Sequence, residues 1–570
     1  MGRQLAAHKG TVLAIVVLQL VQTMANLLLP TLNAAIIDDG IVGGNVPEIL
    51  NLGSWMAAIA GVQVAAAVAA GYLGAMVAME VGRQLREEMF AKVQSMSSQE
   101  VGAFGPASLV TRATNDVAQI QNLAVLVFTM LVAAPAIFVG GIVLALQQDV
   151  ALSAIVVAVI PVLAVIMFLI VRRLVPLYRQ GQELIDQVSR VLREQIIGAN
   201  VIRGFVRQGH EIRRFQGVNR ALTQNNLQSA LLVAGMMPLI MLVVNLSSVG
   251  VVWFGGHRIQ SGEMRLGALT AFIAYILQIL IAIMMAMYVF MTAPRAAACA
   301  ERVQAVLDTA PEITDGPGGA TPAGNAVEFR NVSFAYAGAE SPVLDGISFA
   351  AVPGTVTAVI GATGSGKTTL LNLLPRFLAA TGGEIRIGGC EVRGLPLDTL
   401  RSMIAVVPQH SYLFSGTLAE NLRMAAPAAT DQDLWRVLAS AQAADFVRKL
   451  PRGLDAPVNQ GGTNFSGGQR QRLCIARALL REAPVYLFDD SFSALDYGTD
   501  YRLREAMGPL LRAATVLIVA ERIATIVDAG LILLLEDGRI VAQGTHQQLM
   551  ASSPGYREIA ASQLVLEETL

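Results

Sequence analysis

The amino-acid sequence predicts an α-helical transmembrane domain with six spans, followed by an α/β domain. The first observation is composition: of 570 residues, 54% are hydrophobic and 15% are charged, and the mean hydropathy is +0.55. These values are typical of a membrane protein. The second is that all the long apolar stretches lie before residue 294. The third is that short β-branched runs alternate with helical runs in the remainder, as in an α/β domain.

Six stretches are long and apolar enough to cross a bilayer, which takes about 20 residues. They lie near residues 11–36, 51–79, 123–146, 150–175, 228–254 and 267–293. The links at 80–122 and 176–227 are long, polar and helical in pattern, whereas those near 147–149 and 255–266 are short. The basic N-terminus precedes a long apolar run without a small-residue cleavage site, so we expect an uncleaved span rather than a signal peptide.

The distribution of charge predicts the orientation. Ten arginines lie between Arg172 and Arg220, whereas the loop 37–50 contains no Lys or Arg. By the positive-inside rule, the long links, both termini and the α/β domain are expected on the cytoplasmic side of the cytoplasmic (inner) membrane. The net charge of −1 gives no sign of a nucleic-acid partner, and the three widely spaced cysteines suggest neither a disulfide framework nor a metal site.

The composition changes after residue 307. Residues 308–325 (DTAPEITDGPGGATPAGN) are rich in Pro, Gly and Thr and are interpreted as a linker. We therefore expect the transmembrane domain at 1–307, with the long links extending its helices into the cytoplasm, and the α/β domain at 326–570. The C-terminal tail QLVLEETL is expected to fray.

The α/β domain contains a phosphate-binding motif. Residues 361–368 read GATGSGKT, which matches G-x-x-x-x-G-K-[ST], and lie between the apolar strand TVTAVI and a helical run, as in a P-loop. Its glycines let backbone N–H groups turn toward phosphates, and the helix N-terminus adds positive potential. Lys367 is expected to contact the β- and γ-phosphates of ATP, and the Thr368 hydroxyl to bind Mg²⁺. The alternative is a glycine-rich turn with an incidental lysine.

An aspartate fits the second part of such a site. Asp489 ends the apolar run VYLFD, as does the residue that orients Mg²⁺ beside a P-loop. The alternative is a surface aspartate at a strand end.

These residues belong to a larger set of motifs. In order they are GATGSGKT at 361–368, VPQ at 407–409, FSGGQ at 465–469, VYLFD at 485–489 and SALD at 493–496. With this set and its six spans, the chain resembles the exporter type (type IV) of ABC transporter, in which one membrane domain is fused to one ATPase domain. The segments at 109–120 and 198–215 look like that family's cytoplasmic loops. The resemblance extends to the degenerate-site subunits of actinobacterial heterodimeric multidrug exporters.

The resemblance implies roles for residues that no local pattern would single out. Tyr336 would stack on the adenine, although a tyrosine in FAY is otherwise an ordinary strand residue. Gln409 would complete the Mg²⁺ shell with Thr368 and Asp489, and Asp496 would contact the dimer partner. The ATP-binding residues of this chain's own P-loop would be Gly361, Thr363, Gly364, Ser365, Gly366, Lys367, Thr368 and Thr369. Those that would bind the γ-phosphate held by the opposite subunit are Ser466, Gly467, Gly468 and Gln469. Phe465 stands where Leu is usual and is expected to be packed.

One departure from the family's pattern concerns catalysis. The family's catalytic carboxylate is a Glu directly after the metal-orienting Asp, and here that position is Asp490. Losing one methylene shortens the reach of the carboxylate by about 1.5 Å, one C–C bond length. A general base must lie within hydrogen-bonding distance of the attacking water, and a misplacement of that order can lower the rate roughly 100-fold. Weak catalysis by Asp490 is therefore expected.

A second departure is Glu521, which follows the strand TVLIVA where the family carries its switch histidine. Histidine can donate a hydrogen bond to the γ-phosphate, whereas an ionised Glu only accepts and repels. At about 4 Å and an effective dielectric of about 20, two charges interact by about 4 kcal/mol. We expect Glu521 to face away from the phosphate, to be protonated, or to pair with a base such as Arg522. The alternative is that it replaces the histidine with modest effect.

The intact signature FSGGQ contrasts with these departures and predicts an asymmetric heterodimer. Each ATP in such a dimer lies between one chain's P-loop and the other's signature. This chain would therefore hold ATP at its own degenerate site and complete the hydrolytic site of a second half-transporter. A homodimer with two slow sites is the alternative. Gln460, where similar exporters carry Glu, implies that coupling to the partner's loops differs in detail.

The spans suggest the kind of substrate. Polar residues are sparse within the spans and include Gln19, Gln22, Asn26, Asn245, Ser247, Ser248 and Gln278. No span core shows a clear charged residue, which argues against a proton relay or a charged-substrate site. Methionine, which provides an adaptable apolar surface, is frequent in the last two spans. We expect a hydrophobic or amphipathic substrate (a drug-like molecule or a lipid) in contact with membrane lipids. The alternative is that these residues only pack helices.

The predicted function is therefore ATP-driven translocation across the membrane. An importer of lipids or siderophores with the same fold is one alternative, because nothing in the sequence sets the direction. A nucleotide-gated membrane regulator or channel subunit is an alternative of another class.

Overall fold

The computed structural model describes residues 8–319 and 321–567, with the side chains of 564–567 left out. These residues form two compact units. Residues 8–90 and 110–308 belong to the first, and residues 91–109 and 309–567 belong to the second. The segment 91–109 begins within the end of a long helix (Val46–Ser95) but joins the second unit, in which the Glu312 N–H donates to Glu100 Oε1 at 2.9 Å. The domain boundaries predicted at 307 and 326 stay predictions.

Long helices dominate the chain up to residue 308. In chain order they are α1 (Lys9–Ala35), α2 (Val46–Ser95), α3 (Ser98–Phe104), α4 (Pro106–Thr111), α5 (Val117–Met130), α6 (Ala133–Gln148), α7 (Val150–Ile197), α8 (Ala199–Gly204), α9 (Gln208–Gln260) and α10 (Leu266–Leu307). π-helical turns at Ile36–Val42 and Arg112–Asp116 extend α1 and join α4 to α5. Six helical segments of the described chain are long and apolar enough to span a membrane, which confirms the six predicted spans.

These helices are longer than a bilayer requires. Helix α7 has 48 residues and α9 has 53, so at 1.5 Å per residue each is about 70–80 Å long, against about 30 Å of hydrocarbon. The two helices pack closely where Gly181 faces Asn225, whose Nδ2 donates to the Leu177 carbonyl at 3.0 Å. A Cβ at Gly181 would lie 2.8 Å from that nitrogen. The link predicted at 176–227 is therefore mostly a continuation of the membrane helices.

The core of the membrane unit is built around α10. Phe272 and Tyr275 are fully buried there, and the Tyr275 hydroxyl lies 2.6 Å from Thr31 Oγ1 of α1. Large apolar side chains on the other helices are exposed, such as Phe168 and Trp253. Because a bilayer solvates apolar side chains, these outward faces fit a membrane-spanning unit.

The second unit is α/β, as predicted. Its strands are β1 (Val327–Phe334), β2 (Leu344–Ala351), β3 (Val356–Ile360), β4 (Gly382–Ile387), β5 (Cys390–Glu391), β6 (Ile404–Val407), β7 (Gly416–Thr417), β8 (Pro457–Val458), β9 (Val485–Asp489), β10 (Thr515–Val519), β11 (Leu531–Glu536) and β12 (Arg539–Gly544). Its helices after residue 309 are α11 (Lys367–Leu373), α12 (Leu397–Ser402), α13 (Leu418–Arg423), α14 (Asp431–Ser440), α15 (Ala444–Arg448), α16 (Gly467–Leu480), α17 (Tyr497–Leu511), α18 (Ile523–Ile526), α19 (His546–Ser552) and α20 (Pro554–Glu567).

A six-stranded sheet organises this unit, in the order β12-β11-β3-β10-β9-β6. The strands from β11 to β6 are parallel, and β12 runs antiparallel to β11. The inner strands read as continuous apolar runs because helices or a second sheet cover both faces. That second sheet is antiparallel, in the order β2-β1-β4-β5.

The last helix extends into the C-terminal tail. Helix α20 continues to Glu567, residues 568–570 lie outside the described residues, and the expected fraying of the tail stays a prediction. The start of this helix is held in the core: Tyr556 is fully buried, and its hydroxyl lies 2.9 Å from His546 Nδ1.

Candidate functional site

The predicted site residues converge at one edge of the parallel sheet. Strands β3, β10, β9 and β6 are neighbours, and Val519 pairs with both Val359 and Asp489. Because parallel strands end at the same edge, the P-loop after β3, Glu521 after β10, Asp490 after β9 and Gln409 after β6 lie side by side.

Backbone geometry makes the P-loop a cradle. Gly364 and Gly366 have φ of +86° and +99°, a conformation that favours glycine. A Cβ at Gly361 would lie 2.1 Å from the Leu535 carbonyl oxygen, so only glycine fits there. Helix α11 begins directly after this turn, at Lys367, so its N-terminus faces the loop.

Lys367 is buried and folded onto its own loop. Its Nζ donates to the carbonyls of Gly361 at 2.9 Å and Ala362 at 2.8 Å. Burial lowers the pKa of its ammonium, while nearby Glu521 and Asp490 raise that pKa. Across the described residues no carboxylate lies within ion-pair distance of this ammonium.

The loop also holds an unpartnered polar group. Ser365 Oγ is buried and has no hydrogen-bond partner among the described residues. A glycine cradle, a buried ammonium and an orphaned hydroxyl together suit the oxygen-rich phosphates of a nucleotide.

Two of the three predicted Mg²⁺ residues are in direct contact. Thr368 Oγ1 donates to Asp489 Oδ1 at 2.9 Å. Asp489 is buried, which raises the pKa of its carboxyl, and the bond from Thr368 opposes that rise. Gln409 is exposed just beyond β6. Hydroxyl, carboxylate and amide oxygens are suitable ligands for Mg²⁺, so this group fits the ion.

Tyr336 lies beside the same helix. Its ring is 42% exposed and packs edge-on against Phe334, with centroids 4.9 Å apart. Its hydroxyl lies 3.4 Å from Thr369 Oγ1, which ties it to the first turn of α11. Thr363 and Gly364 at the tip of the P-loop are exposed.

Asp490 has a backbone that sequence reasoning missed. Its φ is +46°, in the left-handed region that Asp and Asn tolerate better than most residues. Its N–H donates to the Val519 carbonyl at 3.0 Å, and its carbonyl accepts from Ser493 Oγ at 2.9 Å and Gln471 Nε2 at 3.3 Å. Burial raises the pKa of the Asp490 carboxyl, and the neighbouring Glu521 raises it further.

Glu521 and the P-loop line the same cavity, of about 550 Å³. The pairing with Arg522 that was one of the expected alternatives does not occur among the described residues. The Arg522 guanidinium instead donates to the carbonyls of Ser493 at 3.2 Å and Leu495 at 3.3 Å. Glu521 is therefore a second carboxylate beside Asp490 at the edge of the P-loop.

The signature turn is separate from this cavity and is held by its own contacts. Ser466 Oγ accepts from the Gln469 N–H at 3.3 Å, and Gln469 Oε1 accepts from the Ser466 N–H at 3.0 Å, a reciprocal cap on α16. Phe465 is buried, as expected. Ser466 and Gly467 are exposed, and a Cβ on Gly467 would meet no atom within 4 Å. Gly468 is tighter, because its Cβ would lie 3.2 Å from the Ala494 carbonyl oxygen.

Asp496 is exposed and caps α17. Its Oδ1 accepts from the Thr499 N–H at 2.9 Å, and this bond lowers the pKa of its carboxyl.

Comparisons with known proteins match both parts of the chain. A family model for the ABC transporter transmembrane region matches residues 12–284, and one for the ABC transporter domain matches residues 344–493. An uncharacterised ABC transporter ATP-binding protein of Mycobacterium tuberculosis is 43% identical over 568 residues, covering 98% of this chain and 96% of the relative. An ATP-dependent lipid A-core flippase of Chromobacterium violaceum is 32% identical over 84% of this chain and 82% of its own length.

A solved structure shares the fold of the whole chain. The structure of a bacterial Atm1-family ABC exporter with ATP bound superposes with a TM-score of 0.81 at 24% identity, covering 98% of this chain and 99% of that chain. The chain belongs to the ABC transporters, as an exporter-type half-transporter with one transmembrane region and one ATP-binding domain.

Proposed function

We propose that this chain is the degenerate-site subunit of a heterodimeric exporter. In this proposal its own P-loop binds and retains ATP, while its signature turn completes the hydrolytic site of a second half-transporter. The observation that carries the proposal is the contrast between the two regions. The signature turn is ordered and exposed, whereas two carboxylates, Asp490 and Glu521, flank the P-loop lysine.

Binding of ATP is assigned to the residues at the sheet edge. Lys367 and the P-loop N–H groups bind the phosphates, Thr368, Asp489 and Gln409 hold Mg²⁺, and Tyr336 stacks on the adenine. The bound Mg²⁺ neutralises phosphate charge. The orphaned Ser365 hydroxyl and the Thr368–Asp489 contact support this assignment, because both place polar groups at the loop.

Slow turnover follows from Asp490. Its carboxylate is shorter than that of Glu by about 1.5 Å. Hydrogen bonds with Val519, Ser493 and Gln471 hold its backbone at φ +46° and oppose a forward shift that would restore the reach. Glu521 offers the γ-phosphate no donor in place of histidine.

The proposed cycle uses alternating access. ATP binding closes the two ATPase domains, and the long helices transmit the closure to the membrane. Hydrolysis at the partner's P-loop resets the transporter. The chain is placed in the cytoplasmic membrane with both termini and the ATPase domain inside, because of the arginines in the long links.

The proposed substrate is hydrophobic or amphipathic, such as a drug-like molecule or a lipid. A cavity of about 840 Å³ between α7 and α9 supports an amphipathic one, because leucines and two arginines line it together. Its lining residues are Leu169, Arg172, Arg173, Pro176, Leu177, Gln180, Gln228, Leu231 and Leu232.

Some polar residues of the spans have packing roles instead. Gln19 is buried, and its Nε2 donates to the Phe128 carbonyl at 2.7 Å. Gln278 Nε2 donates to the Asn26 carbonyl at 3.2 Å, and Gln63 Nε2 donates to Asn26 Oδ1 at 3.2 Å. These contacts favour the helix-packing alternative for Gln19, Asn26 and Gln278.

The full-length chain in lipid nanodiscs tests the proposal, alone and with a second half-transporter that carries Glu and His at the two departing positions. Alone, the chain is expected to retain a fluorescent ATP analogue and to hydrolyse ATP at least about 100-fold more slowly than the pair. Steady hydrolysis by the chain alone, at the 1 s⁻¹ or more that is roughly typical of enzymes, would contradict it.

A further inference from the structure

The C-terminal helix reaches the segment that carries Glu521. Gln563 Nε2 donates to the Glu521 carbonyl at 2.7 Å, and the Ile523 N–H donates to Gln563 Oε1 at 2.8 Å. One amide side chain therefore binds the backbone on both sides of Arg522. These two groups lie between the end of β10 and the first turn of α18, where neither a sheet ladder nor a helix supplies partners.

Helix α20 is anchored well enough to act as a support. Tyr556 is fully buried, and Ala560 is 6% exposed. Residues 556, 560 and 563 are spaced by four and three, so they share one face of the helix. The face that anchors α20 in the core is thus the face that presents Gln563.

The segment is also held from its other side. The Arg522 guanidinium donates to the carbonyls of Ser493 and Leu495 and lies 5.1 Å from the centre of the Tyr497 ring. These residues follow Asp490 directly in the chain. The backbone around Glu521 is therefore fixed between α20 and the loop after β9.

The fixed backbone matters because Lys367 is near. Glu521 lines one cavity with the P-loop, and α20 contributes Gly555, Glu558 and Ile559 to the same cavity. Glu521 acts electrostatically on the Lys367 ammonium, yet no ion pair joins them in the described residues. A carboxylate on a loosened backbone would approach that ammonium and compete with phosphate for it, because unlike charges attract.

We infer that Gln563 is a positioning residue, which holds the Glu521 segment so that Lys367 stays available to phosphate. This inference rests on the proposed retention of ATP at this chain's own site. It assigns the C-terminal helix a role in regulating that site.

The test compares release of a fluorescent ATP analogue from full-length variants in nanodiscs. Q563L removes both hydrogen bonds at similar volume, and the expected result is about tenfold faster release. S562A is the matched control, because the Ser562 hydroxyl donates only within its own helix, to the Ile559 carbonyl at 2.8 Å. It is expected to release the analogue at the wild-type rate. Q563N, whose amide is one methylene shorter, is expected to behave like Q563L.

A second comparison, made in the E521A variant, separates positioning of the Glu521 segment from general support of the fold. In E521A the carboxylate of Glu521 is gone and cannot compete for Lys367, so adding Q563L is expected to leave release unchanged, while any shift in the unfolding temperature persists. Equal acceleration in both backgrounds would overturn the inference, as would wild-type release from Q563L. If the wild type itself hydrolyses ATP rapidly, the proposed function fails and the inference fails with it.

Discussion

The signature turn and the P-loop pocket belong to the same α/β unit but differ in how complete they are. At the signature, Ser466 and Gln469 satisfy each other's backbone groups, and Phe465 anchors the turn in the core. At the P-loop, Lys367 bonds to carbonyls of its own loop, and Ser365 Oγ has no partner in the described structure. The polar groups of the signature turn thus pair with each other. The P-loop has polar groups that a ligand would supply with hydrogen-bond partners.

The difference also concerns charge. The signature turn presents the exposed residues Ser466 and Gly467 at the start of α16, and in the proposed heterodimer they would face the phosphate of the partner's nucleotide. The P-loop is flanked by Asp490 and Glu521, and their proximity raises the pKa of Asp490 beyond the effect of burial. In the proposed heterodimer, this chain would carry an intact half of one ATP site and a weakened half of the other.

The largest expected effect is on the affinity of this chain's own P-loop for ATP. K367A removes the ammonium, and charge-assisted hydrogen bonds contribute about 1.5–3 kcal/mol each, so two of them correspond to a loss on the order of 1,000-fold in ATP affinity. Titration of the full-length chain with a fluorescent ATP analogue measures it. K449A, at an exposed lysine, is the control. A change below about tenfold in K367A would contradict the assigned role.

The second prediction tests the signature turn. G467A adds a methyl group that meets no atom within 4 Å in this chain, so folding and ATP retention here are expected to be unchanged. The methyl group would occupy the exposed face that the partner's phosphate is proposed to approach. Hydrolysis by the assembled pair is expected to fall about 100-fold.

G508A is the matched control for that variant, because a Cβ there also meets no atom within 4 Å. Equal activity of the G467A and G508A pairs would show that the signature of this chain does not serve the partner's site.

The third prediction tests the role of Asp490 in slow turnover at this chain's own P-loop. D490E restores the methylene and is expected to raise hydrolysis at this chain's site by about 10-fold, less than the roughly 100-fold that reach alone suggests. The left-handed backbone accounts for the difference, because φ of +46° suits Asp better than Glu. Single-turnover hydrolysis by the chain alone measures it, with D490N as the inactive control. If neither D490E nor D490E combined with E521H hydrolyses ATP faster than the wild type, Asp490 is not the cause of slow turnover.

The smallest expected effect is on stability and depends on pH. The folded pKa of Asp490 is raised, so the stability that its protonated form contributes is present at low pH and is lost as the pH rises through that pKa. D490N should therefore unfold about 2 °C higher than the wild type at pH 7.5, and the difference should vanish toward about pH 4.

The control for this variant is D537N, at an exposed aspartate that also has a positive φ (+43°). Thermal unfolding of the nucleotide-free full-length chain gives both midpoints. A D490N difference that grows as the pH falls would have the wrong sign and would refute the raised pKa.

Local patterns predicted much of the fold and the site. The spans follow from runs of apolar residues, and the P-loop follows from eight consecutive residues between a strand and a helix. The order of strands in the sheet was not predicted, and it is what places Gln409, Asp490 and Glu521 beside one another. Their roles came from resemblance rather than from any local signal.

The sequence by itself determined the two-part architecture, the phosphate cradle and the two departures at Asp490 and Glu521, because each is written in neighbouring residues. Only the tertiary structure decided that Asp490 has a left-handed backbone and that Arg522 binds carbonyls rather than Glu521. It also decided that Gln563 forms hydrogen bonds with the backbone of Glu521 and Ile523, about 40 residues before it in the chain. The physical reason is that these features depend on hydrogen bonds between segments far apart in the chain, which no periodicity or motif records.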